Sequence, residues 1–449
     1  MYVCMYVCYY IADQLDLDIE YLSNIKFYLV QLVFLFLAII LYFEYKKWSV
    51  KNVFSIIYLS ISLLCFFCIY YFFGIYALRI IPNSFIYHDT VVAYKDYRLN
   101  RLARIKADSQ NKWELSEPYI PKYKNYVLVI GESLRQDYMS VYGYPLKTTP
   151  FLDDVNGVFI DAYYSTAGYT DNSLMHSLYW KPDDKMADNS DIFFGNIIQL
   201  AKKAGLKTHW ISNNNGGWTA QITPLANQSD YVDLKGAETL KDDELLVKLS
   251  DVLQKPRNNQ ANLFVIHLYG QHEPYCEKLK NTPQFSINIG DIDCYLQSIY
   301  ENDQFLRQLT EILNIYGSYS IMYFSDHGLV STKKGQKVTL LHAPADKDYR
   351  QAFLVPMLQI SSDSTEHKII KTQKSGFNFI YAFTEWLNIK EKHLSATYCF
   401  WCEKPDKNIK IFTYRQIDRN QSLHYDGDTV PLSQLLEDPP IVPNNIQMK

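Results

Sequence analysis

The stretch YVLVIGES (126–133) decides the fold class, because an apolar run of strand length ends directly in an acidic turn. The stretch IMYFSDHG (321–328) repeats this arrangement later in the chain. The two runs place Glu132, Asp326 and His327 at the carboxyl ends of predicted buried strands. Ligands of open α/β sheets bind just outside the carboxyl ends of the strands. The sequence therefore predicts a metal site that is assembled from distant segments.

Strand-like and helix-like segments alternate from Asn125 onward. Three strand-like segments each follow a helix-like one: LKTHWIS (206–212), NLFVIHL (262–268) and YSIMYFS (319–325). Such alternation predicts an α/β domain whose mostly parallel sheet is covered by helices on both faces.

The chain has 449 residues, a formal net charge of -4 and a pI near 6.2. A chain of this length is expected to form two or three structural units. Domains that bind nucleic acid carry a basic surface, which this acidic balance does not favour. We therefore expect no nucleic-acid partner.

Two apolar stretches near the amino terminus predict transmembrane helices over residues 27–43 and 53–78. A helix crosses a bilayer with roughly 20 apolar residues, so both stretches are long enough or nearly so. Residues 1–78 are accordingly interpreted as a membrane domain, 79–124 as a juxtamembrane connector and 125–449 as the catalytic domain.

The loop between the two predicted helices is basic and holds Lys46, Lys47 and Lys51. Basic loops remain in the cytoplasm, so the large carboxyl-terminal part is expected on the other side of the membrane.

Four cysteines of the carboxyl-terminal part form two near pairs: Cys276 with Cys294, and Cys399 with Cys402. The pairs predict local disulfides in an oxidising compartment, with free or redox-active thiols as the alternative.

Three histidines extend the predicted metal site. His267 and His272 accompany the strand at 262–268, and His342 lies in LLHAP (341–345). Two carboxylates with imidazoles and no cysteine suit Zn²⁺ or Mn²⁺ with an open coordination position. Taken singly, a histidine in an apolar run such as His267 is usually a core residue. The joint occurrence at strand ends favours the metal site.

Adjacent residues of a regular strand point to opposite faces, so Asp326 and His327 can converge only on the turn that follows the strand. Gly328 permits that turn.

A nucleophile is predicted between residues 163 and 180, where four hydroxyls precede a helix-like run: Ser165, Thr166, Thr170 and Ser173. A hydroxyl at a helix N-terminus can serve as a cap or can act beside a bound phosphate. The spacing does not choose among the four.

The segment GESLRQDYMSVYGYPLKTTPFLD (131–153) resembles the opening motif of the phosphoethanolamine transferases. These are membrane-anchored members of the alkaline phosphatase and sulfatase superfamily. The later motifs keep the family order: the Thr170 segment, AGLKTHWISNN (204–214), HLYGQHEPY (267–275), FSDHG (324–328) and LLHAP (341–345). The resemblance is nearest to enzymes that modify lipopolysaccharide core or related surface glycans. It implies an alkaline-phosphatase-like fold for the domain.

The resemblance also implies roles for individual residues. Glu132, Asp326 and His327 would bind zinc, with Thr170 as the fourth ligand and the nucleophile. His272, His342 and, by its place in the motif, His267 would contact the phosphoryl group, and the first two could instead help to hold a second metal.

The reaction implied by the resemblance is of the ping-pong type. Thr170 attacks the phosphorus of phosphatidylethanolamine, and diacylglycerol leaves. A hydroxyl or phosphate of lipopolysaccharide or of another envelope glycan then accepts the phosphoethanolamine. The resemblance places the protein in the bacterial inner membrane, as a monomer with its catalytic domain in the periplasm.

The chain departs from the family pattern in two respects. Many relatives carry a proline soon after the nucleophile, where this chain has Asp171-Asn172-Ser173, so Thr166 is the alternative nucleophile. Relatives usually have about five transmembrane helices where this chain shows two, which leads us to expect an amino-terminal truncation.

Three other functions are compatible with parts of the pattern. A phosphoglycerol transferase would use the same motifs with a different donor headgroup. A sulfatase needs a Cys or Ser in a C/S-x-P-x-R setting, which does not surround Thr170. A non-catalytic membrane protein that binds glycans would not need the metal ligands and the hydroxyl together.

Overall fold

The central strands of the domain are apolar over their whole length, which is typical of strands that are buried on both faces. The computed structural model describes residues 102, 104–182, 193–215, 222–236, 241–255, 260–285, 291–334, 337–342, 349–407, 409 and 411. All of them belong to one contact-defined unit, Val91–Lys449. The predicted transmembrane helices at 27–43 and 53–78 lie outside the described residues. Within the described ranges, no helix is both long and apolar enough to cross a membrane.

The described strands are numbered in chain order. They are β1 Asn125–Gly131, β2 Gly157–Tyr164, β3 Tyr179–Trp180, β4 Gly195–Asn196, β5 Lys207–Asn215, β6 Tyr231–Gly236, β7 Asn262–His267, β8 Tyr319–Ser325, β9 Val330–Lys334, β10 Lys337–Leu341, β11 Leu354–Ser361, β12 His367–Ile370 and β13 Lys374–Ser375. The α-helices are α1 Pro150–Asp154, α2 Thr170–Leu178, α3 Ile197–Lys203, α4 Thr223–Ala226, α5 Asp243–Gln254, α6 Ile292–Ile315 and α7 Phe379–Leu387.

Nine of the described strands form one sheet in the order β12-β2-β11-β8-β1-β7-β5-β6, with β13 also paired to β2. Neighbours from β8 to β6 are parallel, and β12 and β13 are parallel to β2. Strand β11 is antiparallel to both β8 and β2. The prediction of a mostly parallel sheet is confirmed.

Strand β1 shows why helices cover both faces of this sheet. Its Leu128 and Ile130 belong to a core that includes side chains of α2, α3 and α7. Its Val127 and Val129 belong to a second core with side chains of α5 and α6. Alternate residues of a strand point to opposite faces, so a continuous apolar strand needs an apolar partner on each side.

The register of the central strands brings their carboxyl ends together. Ile130 of β1 lies opposite His267 of β7, and Gly131 lies opposite Ser325 of β8. The residues that directly follow β1 and β8, together with the end of β7, therefore meet at one edge of the sheet. This edge carries the candidate site.

Residues that precede β1 also pack into the domain. Trp113, which lies in the predicted connector, is fully buried, and its indole Nε1 donates a hydrogen bond to the carbonyl oxygen of Asn196. Asn196 caps α3, because its side chain accepts a hydrogen bond from the Gln199 amide. The start of α3 is therefore held both by its own cap and by the segment before β1.

The structure pairs the four cysteines of residues 125–449 in the two predicted disulfides. Cys276 is joined to Cys294, and Cys399 is joined to Cys402. The first disulfide connects the loop after β7 to α6, so it ties a segment near the candidate site to the helix layer.

We expect Leu128→Ala to lower the free energy of unfolding by about 2–5 kcal/mol, because it leaves a cavity in the middle of the sheet. The matched control is Val247→Ala on α5, where the valine is 62% exposed; it should change stability by less than about 0.5 kcal/mol. Urea unfolding of the two variants measures both values. Equal effects would contradict the central position of β1.

Candidate metal centre and nucleophile

Glu132 directly follows β1 and is fully buried. Its Oε1 accepts a hydrogen bond of 2.7 Å from the Ser133 hydroxyl. Its Oε2 accepts hydrogen bonds of 2.9 Å from both Thr170 Oγ1 and Asn214 Nδ2. Ser133 has a φ of 59°, so the chain turns sharply there and carries Glu132 into the site. A buried carboxylate needs such donors, because an unsolvated charge is otherwise very costly.

Asp326 and His327 follow β8 and are also fully buried. Asp326 Oδ1 accepts hydrogen bonds from the amides of Ser133 (3.0 Å) and His327 (2.7 Å). His327 Nδ1 lies 2.8 Å from the Gly328 carbonyl oxygen and donates to it, which turns Nε2 toward the carboxylates. That Nε2 is 3.1 Å from Glu132 Oε1 and 3.5 Å from Asp326 Oδ2.

The turn after β8 depends on Gly328. A Cβ at this position would collide with the carbonyl oxygen of Gln351. The close approach of the two backbones allows the adjacent residues Asp326 and His327 to point into the same space, as the sequence predicted.

Glu132, Asp326 and His327 together satisfy the requirements of a metal site. One ligand atom from each lies within 4.8 Å of the others. Asp326 Oδ2 is buried and accepts no hydrogen bond from any described residue. Two carboxylates and one imidazole form a donor set that suits a divalent cation such as Zn²⁺. The residues therefore fit a metal ion.

The charges of the three residues shift one another's pKa values. Burial alone raises the pKa of Glu132, but the hydrogen bond and the positive charge of His327 hold it well below its usual value. Burial and the negative charge of Glu132 raise the pKa of Asp326 to about 8. Burial lowers the pKa of His327, but the Asp326 and Glu132 carboxylates raise it to about 9. A bound divalent cation would supply the positive charge that this pair of carboxylates attracts.

Thr170 is the first residue of α2, and its hydroxyl points into the same space. Besides donating to Glu132, Thr170 Oγ1 lies 3.3 Å from His327 Nε2. The three other candidate hydroxyls each donate to a backbone carbonyl oxygen: Ser165 to Ala167, Thr166 to Ser173 and Ser173 to Asp326. Of the four, Thr170 is the one that contacts the carboxylates in the described structure.

Two of the predicted histidines line the same space. The His342 ring lies 4.9 Å from that of His327 and stacks on Tyr169 at 5.2 Å. The His272 ring lies 6.3 Å from that of His342. Burial and the positive charge of His327 lower the pKa of His342 to about 4. His342 is therefore neutral at pH 7.

His267 differs from these because it is the last residue of β7 and is fully buried. Its Nε2 forms no hydrogen bond with any described residue. The pKa of His267 is lowered to about 4 because the effect of burial is larger than the opposite effect of the Glu132 charge. Its neutral imidazole keeps one nitrogen without a partner among the described residues, which is compatible with the predicted contact to a phosphoryl group.

Sequence reasoning missed Asn214 and Ser133, which both donate to Glu132. Asn214 lies at the end of β5 in the run SNNN (212–215). A polar run at the carboxyl end of a predicted strand was the available signal. Ser133 was visible in the quoted motif, but its φ of 59° was not.

Comparisons with known proteins agree with this geometry. The family model described as Sulfatase matches residues 124–389. The phosphoethanolamine transferase OpgE of Escherichia coli is 34% identical over 311 residues, covering 67% of this chain and 58% of the relative. A putative phosphoethanolamine transferase of Haemophilus influenzae is 32% identical over 251 residues, covering 51% of each. The chain thus spans little more than half the length of these relatives.

A solved structure shows the same fold. The periplasmic domain of EcEptC from Escherichia coli, in complex with Zn, superposes with a TM-score of 0.56 at 20% identity, covering 72% of this chain and 97% of that domain. The chain belongs to the sulfatase family. OpgE carries the name of a phosphoethanolamine transferase and the Haemophilus protein that of a putative one, which confirms the predicted resemblance to that group.

We expect Glu132→Gln to abolish high-affinity binding of divalent metal, because it removes a charge and a ligand oxygen. Asn214→Ala should weaken binding by about tenfold or more, since an outer residue that orients a ligand has effects of that size. Competition with a coloured chelator measures both. The matched control is Glu311→Gln on the exposed face of α6, where the side chain is 58% exposed. A Glu132→Gln variant with unchanged affinity would refute the site.

Proposed function

We propose that this protein transfers phosphoethanolamine from phosphatidylethanolamine to lipopolysaccharide or another envelope glycan, through a covalent intermediate on Thr170. The observation that carries the proposal is the Thr170 hydroxyl, which donates to Glu132 at 2.9 Å beside a buried metal-binding set. The similarity to phosphoethanolamine transferases supports the choice of donor.

The proposed cofactor is Zn²⁺, with Mn²⁺ as the alternative. Glu132, Asp326 and His327 would hold it together with Thr170, and the solved domain named above contains Zn. When bound, the ion supplies positive charge that favours the deprotonated hydroxyl and stabilises negative phosphoryl oxygens. His272 and His342 would help to hold a second ion.

The chain itself positions the reacting groups. Thr170 Oγ1 forms a bond to phosphorus as the bond from phosphorus to the diacylglycerol oxygen breaks, and that oxygen takes up a proton. Because Thr170 begins α2, backbone N–H groups of the first helical turn would donate to the phosphoryl oxygens of a bound substrate. In the second half-reaction, the acceptor oxygen bonds to phosphorus and Thr170 is released with a proton.

The proposed location is the bacterial inner membrane, with the catalytic domain in the periplasm and the protein as a monomer. The two disulfides support an oxidising compartment. A membrane anchor would hold the site close to a lipid donor, which explains why the predicted apolar segments precede the domain.

We expect a phosphoethanolamine adduct on Thr170 after the zinc-loaded protein is incubated with phosphatidylethanolamine. Intact mass spectrometry with peptide mapping detects it. The matched variants Thr170→Val and Thr166→Val remove one hydroxyl each and keep the side-chain shape. The adduct should disappear in the first and persist in the second.

Other outcomes of this experiment have clear meanings. An adduct on Thr166 would move the nucleophile. An adduct formed from phosphatidylglycerol and not from phosphatidylethanolamine would indicate a phosphoglycerol transferase. If metal is bound and neither lipid gives an adduct, the donor is a different molecule. If neither metal nor an adduct is found, the protein is better regarded as a glycan-binding module.

We expect a chelator to abolish adduct formation and added Zn²⁺ to restore it, because the ion stabilises the charge on the attacking oxygen. The measurement is the fraction of protein that carries the adduct before chelation, after chelation and after zinc is added back. Full adduct formation in metal-free protein would show that the metal is dispensable.

A further inference from the structure

A cavity of about 90 Å³ lies beside the end of β5 and the loop that follows β7. Its lining includes Asn213, the neighbour of Asn214, and Gly270. Gly270 has a φ of +49°, and a Cβ there would meet the backbone of Glu132 at 2.9 Å. The wall of the cavity is therefore in direct contact with the residue that holds the proposed metal and nucleophile.

Lys278 lines this cavity and is part-buried. Its Nζ lies 4.3 Å from the centre of the Tyr269 ring and donates a hydrogen bond to the carbonyl oxygen of His272. Within the described part of the chain, no carboxylate forms an ion pair with it. By contrast, Lys280 lines the same cavity and is paired with Asp243.

The nearby carboxylates are occupied by other partners. Asp242 accepts hydrogen bonds from the amides of Tyr269 and Gly270 and from the Asn213 side chain, so it holds the loop after β7. Glu301 accepts hydrogen bonds from the Lys280 amide. An ammonium group has three donors, and a ring and one carbonyl oxygen do not satisfy all of them.

We propose that Lys278 binds an anionic phosphate oxygen of the substrate in this cavity, as a positioning residue beside the metal centre. This proposal rests on the function proposed above, since it names a residue that recognises the phosphate of that reaction. Burial lowers the pKa of Lys278 to about 7, although the charges of Asp242 and Glu132 raise it, so an anion that binds next to Lys278 stabilises its charged form. The same charge disfavours the ammonium group of a headgroup, so the cavity selects the phosphate end.

The test is calorimetric titration of the zinc-loaded full chain with inorganic phosphate. We expect Lys278→Met to weaken phosphate binding by at least about tenfold, because a hydrogen bond to a charged group is lost. The control Lys280→Met should stay within about twofold, since Asp243 already neutralises Lys280. Phosphate binding that is unchanged in Lys278→Met would overturn the proposal.

Two further variants separate charge from packing. Lys278→Arg should retain most of the phosphate affinity, whereas Lys278→Gln should lose it as Lys278→Met does. Lys278→Gln loses the contact with the Tyr269 ring and the hydrogen bond to His272, so thermal unfolding without phosphate is measured to confirm that both variants are folded at the temperature of the titration. If Lys278→Arg and Lys278→Gln bind phosphate equally well, the charge has no role and the proposal fails.

Adduct formation then identifies the source of the phosphate. If Lys278→Gln needs a higher phosphatidylethanolamine concentration for half-maximal adduct formation, Lys278 binds the phosphate of the donor. If that concentration is unchanged but the adduct on Thr170 is transferred to the acceptor more slowly, Lys278 binds a phosphate of the acceptor. A wild-type protein without any adduct, but with phosphate binding that depends on Lys278, would refute the transferase function and uphold the anion site.

Discussion

The burial of two carboxylates and one imidazole in a space less than 5 Å across is the constraint on which the rest of the site depends. Glu132 is supported by three side-chain donors, and Asp326 by two backbone amides. One oxygen of Asp326 still has no donor among the described residues. These donors and the positive charge of His327 therefore compensate part of the negative charge, and a divalent cation would compensate the remainder.

The parallel sheet makes this concentration of charge feasible. Strand β1 lies between β7 and β8 in parallel register, so three chain segments end at one edge. Two glycines then let backbones approach that edge closely: Gly270 contacts the backbone at Glu132, and Gly328 contacts Gln351. The apolar strands supply the stability, and the turns after them carry the polar groups. This division explains how a site with unfavourable local charge can persist in a stable domain.

Much of the fold could be predicted because its signals are local. Continuous apolar runs mark β1 and β8, and helical periodicity marks α5 and α6, whatever their neighbours are. The antiparallel insertion of β11 between β8 and β2 was not predictable, since strand order depends on contacts between distant segments. The same limit applied to Asn214 and Lys278. Each reaches the site through the packing of its strand or loop, and neither has a distinctive sequence context.

The sequence by itself determined the α/β class, the placement of Glu132, Asp326 and His327 at strand ends, and the resemblance to a transferase family. These follow from residue type and spacing along the chain. Only the tertiary structure decided which of four hydroxyls meets Glu132, because Ser165, Thr166 and Ser173 direct theirs to backbone carbonyls. It also decided that Lys278 forms no ion pair within the described residues while Lys280 pairs with Asp243. Both outcomes depend on distances between residues far apart in sequence, and such distances exist only once the strands and helices have packed.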